Sequence, residues 1–122
     1  MNKAIKKRWV EALRSGHYEQ GKGHLKLGDK HCCLGVLCEI AVTDRVVTPW
    51  KADPLWDEFR FVAQSVGPCD STLTLPIAVM EWAGLQLQSP TVYVDGGVDE
   101  LTKLNDDGLT FDAIAAVIEE HL

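Results

Sequence analysis

The stretch His31-Cys32-Cys33-Leu34-Gly35-Val36-Leu37-Cys38-Glu39-Ile40-Ala41 constrains this chain more than any other, because it holds three of the four cysteines and the most compact apolar run. Read as a helix from about Cys33, it puts Leu34, Leu37, Cys38 and Ala41 at i, i+3, i+4 and i+7 of one apolar stripe. Such a helix persists in water only when other elements cover it. The rest of the chain is therefore expected to pack against it.

A chain of 122 residues suits a single domain spanning 1–122, with enough apolar surface to build one core without metal or disulfide staples. The apolar fraction of 46% beside 25% charged residues is that of a folded globular protein rather than a disordered one. No apolar run approaches the roughly 18 residues of a spanning helix, so no membrane partner is expected. The basic start through Arg8 and Trp9 is not followed by the apolar core of a secretory signal. The expected location is cytoplasmic, where Cys32, Cys33, Cys38 and Cys69 are expected to stay reduced.

The net charge of −6 conceals a polarity: residues 1–30 carry eight Lys and Arg against three acids, whereas residues 31–122 carry four against fifteen. Nucleic-acid binding rests on many cationic contacts, so a protein this acidic is not expected to be a general binder of phosphate backbones. A local basic patch still suits one small anion, or the acidic face of a partner or of another copy, which makes a homo-oligomer the expected state.

Residues 2–15 fit an amphipathic helix with Ile5, Trp9, Ala12 and Leu13 on one face, ended by Ser15-Gly16. An extended reading of the next segment places Tyr18, Gln20, Lys22, His24 and Lys26 on one side and Gly21, Gly23, Leu25 and Leu27 on the other. A turn over 27–30 then leads through His31 into the cysteine-rich helix. Between Thr43 and Thr74 the signals are sparse, with short strands expected from Asp44 to Val47 and from Phe59 to Val62. Trp50, Trp56, Phe59 and Phe61 in this region either cap the core or form an exposed aromatic patch. A helix starts after Leu75-Pro76 and closes at Gly84, Pro90–Val94 is a strand, a helix is expected near Val98–Asn105, and Thr110 caps a last helix from Phe111 to about Glu120. The expected fold class is α+β, with about five helices and a small antiparallel sheet.

Several motifs invite chemistry. His31, Cys32, Cys33 and Cys38 are zinc-ligand types, but Cys33 and Cys38 stand about 140° apart around a helix, and a structural site wants close pairs. No metal is expected. A cysteine nucleophile at Cys32 or Cys33 would use the helix start and His24 or His31, whereas buried thiols are the simpler reading. Asn105-Asp106-Asp107-Gly108 lacks the alternating ligands of a calcium loop. The segment from Gly108 to Ala115 resembles the opening of a helix-turn-helix, but too little chain follows for a recognition helix.

The remaining constellation points to an anion. Lys22, Lys26 and Arg14 would neutralise phosphate, Gln20, His24 and His31 would donate hydrogen bonds beside the first amides of the cysteine-rich helix, and Tyr18 would stack on a base. No catalytic residue and no cofactor is expected.

The order Trp9…Ala12-Leu13-Arg14-Ser15-Gly16…Tyr18…Gln20, then Cys32-Cys33-Leu34-Gly35-Val36-Leu37-Cys38, then Leu75-Pro76…Glu81-Trp82-Ala83-Gly84-Leu85, and finally Leu104-Asn105-Asp106-Asp107-Gly108…Phe111…Ile114-Ala115…Ile118 resembles a family of small tailed-phage and prophage proteins. The resemblance runs over nearly the whole chain and is weakest between Thr43 and Leu73. It implies an accessory protein that counters host defence, either by sequestering a nucleotide immune signal or by blocking a defence protein, and the anion site makes capture of a small phosphorylated, nucleotide-like signal the leading reading. Two other readings accompany it: an inhibitor that grips a host defence protein through the aromatic middle, and a cysteine-dependent enzyme.

Overall fold

The computed structural model describes residues 1–27, 29–47, 51–52, 59–60, 74–94 and 96–122. Among them the chain forms α1 (Lys3–Arg14), β1 (Glu19–Gln20), β2 (Lys26–Leu27), β3 (Lys30–His31), α2 (Cys33–Thr43), β4 (Lys51–Ala52), β5 (Phe59–Arg60), α3 (Ile77–Ala83), β6 (Thr91–Val94), β7 (Gly97–Glu100), α4 (Leu101–Asp106) and α5 (Phe111–His121). The fold is α+β. Trp50, Trp56, Phe61 and Cys69, and with them the expected aromatic patch, lie outside the described residues.

The helix α2 is covered on nearly every side. Cys33 through Cys38, Ile40 and Ala41 are all buried, and of its first nine residues Glu39 alone reaches partly into solvent. α1 lies along α5 and against α2, and α4 fills the space between α2 and α5. The core thus joins Trp9 and Leu13 of α1, Leu34 and Leu37 of α2, Leu101 of α4, and Ile114 and Ile118 of α5. Trp9 is fully enclosed, and its indole N–H donates to the Cys33 carbonyl at 2.9 Å, so the largest core side chain hides its one polar atom in a hydrogen bond.

Local signals place the helix ends. The Asn2 side chain caps α1 by accepting from the Ile5 N–H at 3.0 Å, and Thr110 caps α5 by accepting from Ala113 at 3.2 Å. Gly84 ends α3 with φ +73°, and the Asn2 N–H donates to the Ala83 carbonyl beside it at 2.8 Å, which ties the start of α1 to the end of α3.

The strands are short. β3 is the centre of a three-stranded sheet, pairing parallel with β1 (Glu19 opposite Lys30) and antiparallel with β2 (Lys26 opposite His31). β4 and β5 pair antiparallel with Lys51 opposite Arg60, as do β6 and β7 with Tyr93 opposite Val98. Two expectations change. The strand from Asp44 shrinks to a bridge at Val47 after a turn at Asp44 and Arg45, and the helix expected from Val98 begins only at Leu101. Val98, Asp99 and Glu100 pair back on β6, because Gly96-Gly97 permits a tight hairpin whose strand pairing competes with the weak helical start.

Gly35 shows how closely α2 is covered. A Cβ there would stand 1.9 Å from the Leu25 carbonyl oxygen and 2.9 Å from its carbon, so only glycine lets the β1–β2 connection lie on the first turn of α2. Replacing a helix-interior glycine by alanine ordinarily stabilises a protein; here Gly35→Ala is expected to cost about 2 kcal/mol or more. Urea denaturation of the variant beside the wild type measures it, and a gain in stability would contradict the packing.

Candidate functional site

The segment expected to be the recognition arm does not run on as one strand. β1 stops at Gln20, residues 21–25 form an irregular loop, and β2 resumes at Lys26. Asn105 holds this loop in place. Fully buried at the end of α4, it donates from Nδ2 to the Gly21 carbonyl at 2.7 Å, while its Oδ1 accepts from Gln20 Nε2 at 2.9 Å and from the Cys33 N–H at 3.3 Å. Asp106, next in line, accepts from the Gly23 N–H at 2.9 Å. The Asn105-Asp106 pair is thus a clamp for a loop more than eighty positions away in sequence.

Pulled in this way, the loop forms one wall of a cleft of about 300 Å³. Gly23 and His24 line it from the loop, Cys32 from the N-cap position of α2, and Glu100, Thr102 and Asp106 from the β7–α4 corner. Thr74 and Ser89 supply two further hydroxyls. The lining is therefore rich in hydrogen-bonding groups, with two carboxylates, three hydroxyls and an imidazole. Its volume is at the small end of the range for ligand sites.

The seven residues singled out from sequence separate into four places. His24 lies in the cleft, and Lys22 stands exposed on the same loop. Tyr18, Lys26 and His31 gather around Glu39: His31 Nε2 is 2.8 Å from Glu39 Oε1, Lys26 Nζ is 3.8 Å from the same oxygen, and the Tyr18 ring meets His31 edge-on at 5.2 Å. Burial, helped by the Glu39 charge, pushes the Tyr18 hydroxyl pKa up. Gln20 has turned inward, its amide donating to Asn105 and, at 2.6 Å, to the Leu109 carbonyl. Arg14 sits on α1 and pairs with Glu119 of α5 at 3.0 Å. The expected outward row of even-numbered side chains is thus broken up, because the loop bends at the glycines and Asn105 captures Gln20.

Sequence reasoning missed the acidic and hydroxyl side of the cleft, since Thr74, Ser89, Glu100, Thr102 and Asp106 come from three separate segments with no shared period. Nor does sequence reasoning locate a second concavity of about 410 Å³ on α1, lined by Lys3, Lys6, Lys7, Val10 and Arg14 together with Glu11 and Glu119. The signal is present in the basic count of residues 1–30, which does not show that these side chains meet on one face of α1.

The thiols are unlike activated nucleophiles. Cys32, Cys33 and Cys38 are free and buried, and desolvation pushes Cys32 up to about 11 and the other two well above the ordinary thiol range. The amides of Leu34 and Gly35 favour a Cys32 thiolate, but less than burial opposes it. Among the described residues no group of three or more His, Cys, Asp and Glu side chains is placed to hold a metal ion.

Two expectations follow. Asn105→Ala removes a side chain whose donors and acceptor are all engaged, and leaves the Cys33 N–H and the Gly21 carbonyl without their partner. The expected loss is about 2–4 kcal/mol in urea denaturation; a near-neutral result would mean that water replaces the amide. The thiols also set a pH dependence. Each is raised in the folded state, so its stabilising contribution is complete below the ordinary thiol pKa of 9.0 and is lost as pH rises toward the folded values. The urea midpoint is expected to fall between pH 8 and pH 11, and iodoacetamide mapping at pH 7.5 is expected to leave these three cysteines unmodified until the protein unfolds.

Comparison of the chain with known proteins gives a family and no individual relative. No curated protein and no solved structure matches it. A family model does, over residues 1–122, and the chain belongs to that family, described as a domain of unknown function, DUF8296.

Proposed function

We propose that this protein binds a small phosphorylated, nucleotide-like molecule and retains it without turnover. The observation that carries the reading is the cleft at the start of α2, where the clamped loop brings Gly23 and His24 opposite Glu100, Thr102 and Asp106. Carboxylates and hydroxyls are the groups that recognise the hydroxyls of a ribose, and an imidazole adds either a donor or an acceptor. Lys22, exposed beside this wall, provides a cation for a phosphate at the mouth. A thiol that keeps its proton at neutral pH supports retention over covalent catalysis at Cys32.

The resemblance to small phage proteins supplies the biological setting: sequestration of a host immune signal in the cell interior. No helix among the described residues is long and apolar enough to cross a membrane. The inhibitor reading depends on Trp50 and Trp56, which lie outside the described residues, so no observation favours it over the cleft.

Native mass spectrometry tests the reading directly, with the purified protein incubated with cyclic mononucleotides, cyclic dinucleotides and cyclic ADP-ribose isomers. One panel member is expected to remain bound with unchanged mass, and Lys22→Ala is expected to weaken its retention about tenfold, the loss of one charge-assisted contact. If nothing is retained, or the retained compound returns hydrolysed, sequestration is the wrong function.

A further inference from the structure

The first turns of α1 carry a charge arrangement that the helix itself disfavours. Lys3, Lys6 and Lys7 occupy the N-terminal end of α1, where the helix dipole is positive, and no acidic residue stands in the first turn to offset them. Lys3 also faces Lys7 at i+4 and Lys6 at i+3, spacings at which like charges repel. None of the three lysines has an ion partner among the described residues, whereas Arg8 pairs in bidentate fashion with Asp44 and Arg14 pairs with Glu119. The three lysines line one concavity with Val10, Arg14, Glu11 and Glu119, so that four cations outweigh two carboxylates there. Local rules broken at one place, in a protein whose net charge is −6, mark a surface that something acidic covers.

The molecule has the complementary surface. At the β7–α4 corner Glu100, Asp106 and Asp107 are exposed, and Lys103 is the single cation set among them, 2.8 Å from Asp107. This corner is also the rim of the cleft, which is short of positive charge for a phosphorylated ligand: its lining holds two carboxylates and one imidazole.

We infer that a second copy of this chain docks its α1 lysine face on the Glu100–Asp107 corner of the first, and that Lys3, Lys6 and Lys7 of that copy add to the cleft mouth the positive charge that Lys22 alone supplies from its own chain. The contact is heterologous, since the two faces differ, so it closes into a ring or extends with concentration. An anionic membrane is a poorer occupant, because the apolar face of α1 is already buried in the core through Ile5, Trp9 and Leu13. The docking stands on charge complementarity alone, while its part in ligand capture rests on the reading proposed above.

The test is a charge swap. Wild type is expected to sediment as an oligomer in 50 mM NaCl and as a monomer in 500 mM. The variants Lys3→Glu/Lys6→Glu/Lys7→Glu and Glu100→Lys/Asp107→Lys are each expected to be monomeric in 50 mM NaCl, with the circular dichroism of the wild type. An equimolar mixture of the two is expected to associate again, because each variant then meets the opposite charge on the other. A wild type that is monomeric at low salt overturns the docking, and so does a mixture that stays monomeric. Cyclic ADP-ribose and cyclic dinucleotides, added to each sample in native mass spectrometry, separate the two readings. Retention by the oligomer with at least tenfold loss in the monomeric Lys3→Glu/Lys6→Glu/Lys7→Glu variant, whose own cleft lining is unaltered, supports a shared site. Equal retention by monomers overturns the shared site and leaves the cleft standing, and an oligomer that retains nothing leaves the docking standing but removes the ligand.

Discussion

A helix without a solvent face has to find protein partners for the backbone groups at its ends, and in this molecule that requirement falls on Asn105. The first N–H of α2 has no water to turn to, and its Cys32 N-cap makes no side-chain hydrogen bond to it. The Asn105 amide fills the gap at Cys33 and spends its remaining groups on Gly21 and Gln20. One buried side chain therefore couples the start of α2, the end of α4 and the loop after β1. Because such a group is expensive to leave unsatisfied, the three segments hold one arrangement, with the cleft between them.

The same packing explains why small residues, Cys32, Cys33 and Gly35, stand at the start of α2. Gly35 admits the Leu25 carbonyl, and the Cys32 N–H donates to that same oxygen at 3.2 Å, so the loop backbone lies directly on the helix. Cysteine suits the adjacent positions as a small apolar residue whose thiol tolerates burial. The three cysteines that looked like chemistry are, in this arrangement, mostly filling.

Charge follows a related division. Several cations have partners: Lys26 and His31 share Glu39 in a partly buried group, and on the surface Arg8 grips Asp44 and Arg14 reaches Glu119. Lys22 and the α1 lysines have no ion partner among the described residues, and solvent removes the penalty of an unpaired charge there, so that paired and unpaired cations form separate sets. That separation matters for binding, since a cation already paired with a carboxylate offers little to a phosphate.

Residues close together in the chain settled the helices. The stripe of α1, the caps at Asn2 and Thr110, the Gly84 stop and the continuous apolar run of α2 are all short-range patterns, and each has a physical cause that acts within a few residues. The β7 hairpin was misread because Val98 to Glu100 is short enough to satisfy either period, and pairing with β6 decided it. The site was less legible: His24 and Lys22 were named, but the sequence could not show that Gln20 would turn toward Asn105, that Lys26 and His31 would converge on Glu39, or that Glu100, Thr102 and Asp106 would face His24. Those outcomes depend on contacts between segments tens of residues apart, which exist only once the core has brought α2, α4 and the loop together. Short-range chemistry determined which elements form; burial of their polar ends determined where the cleft is and which side chains are left to use it.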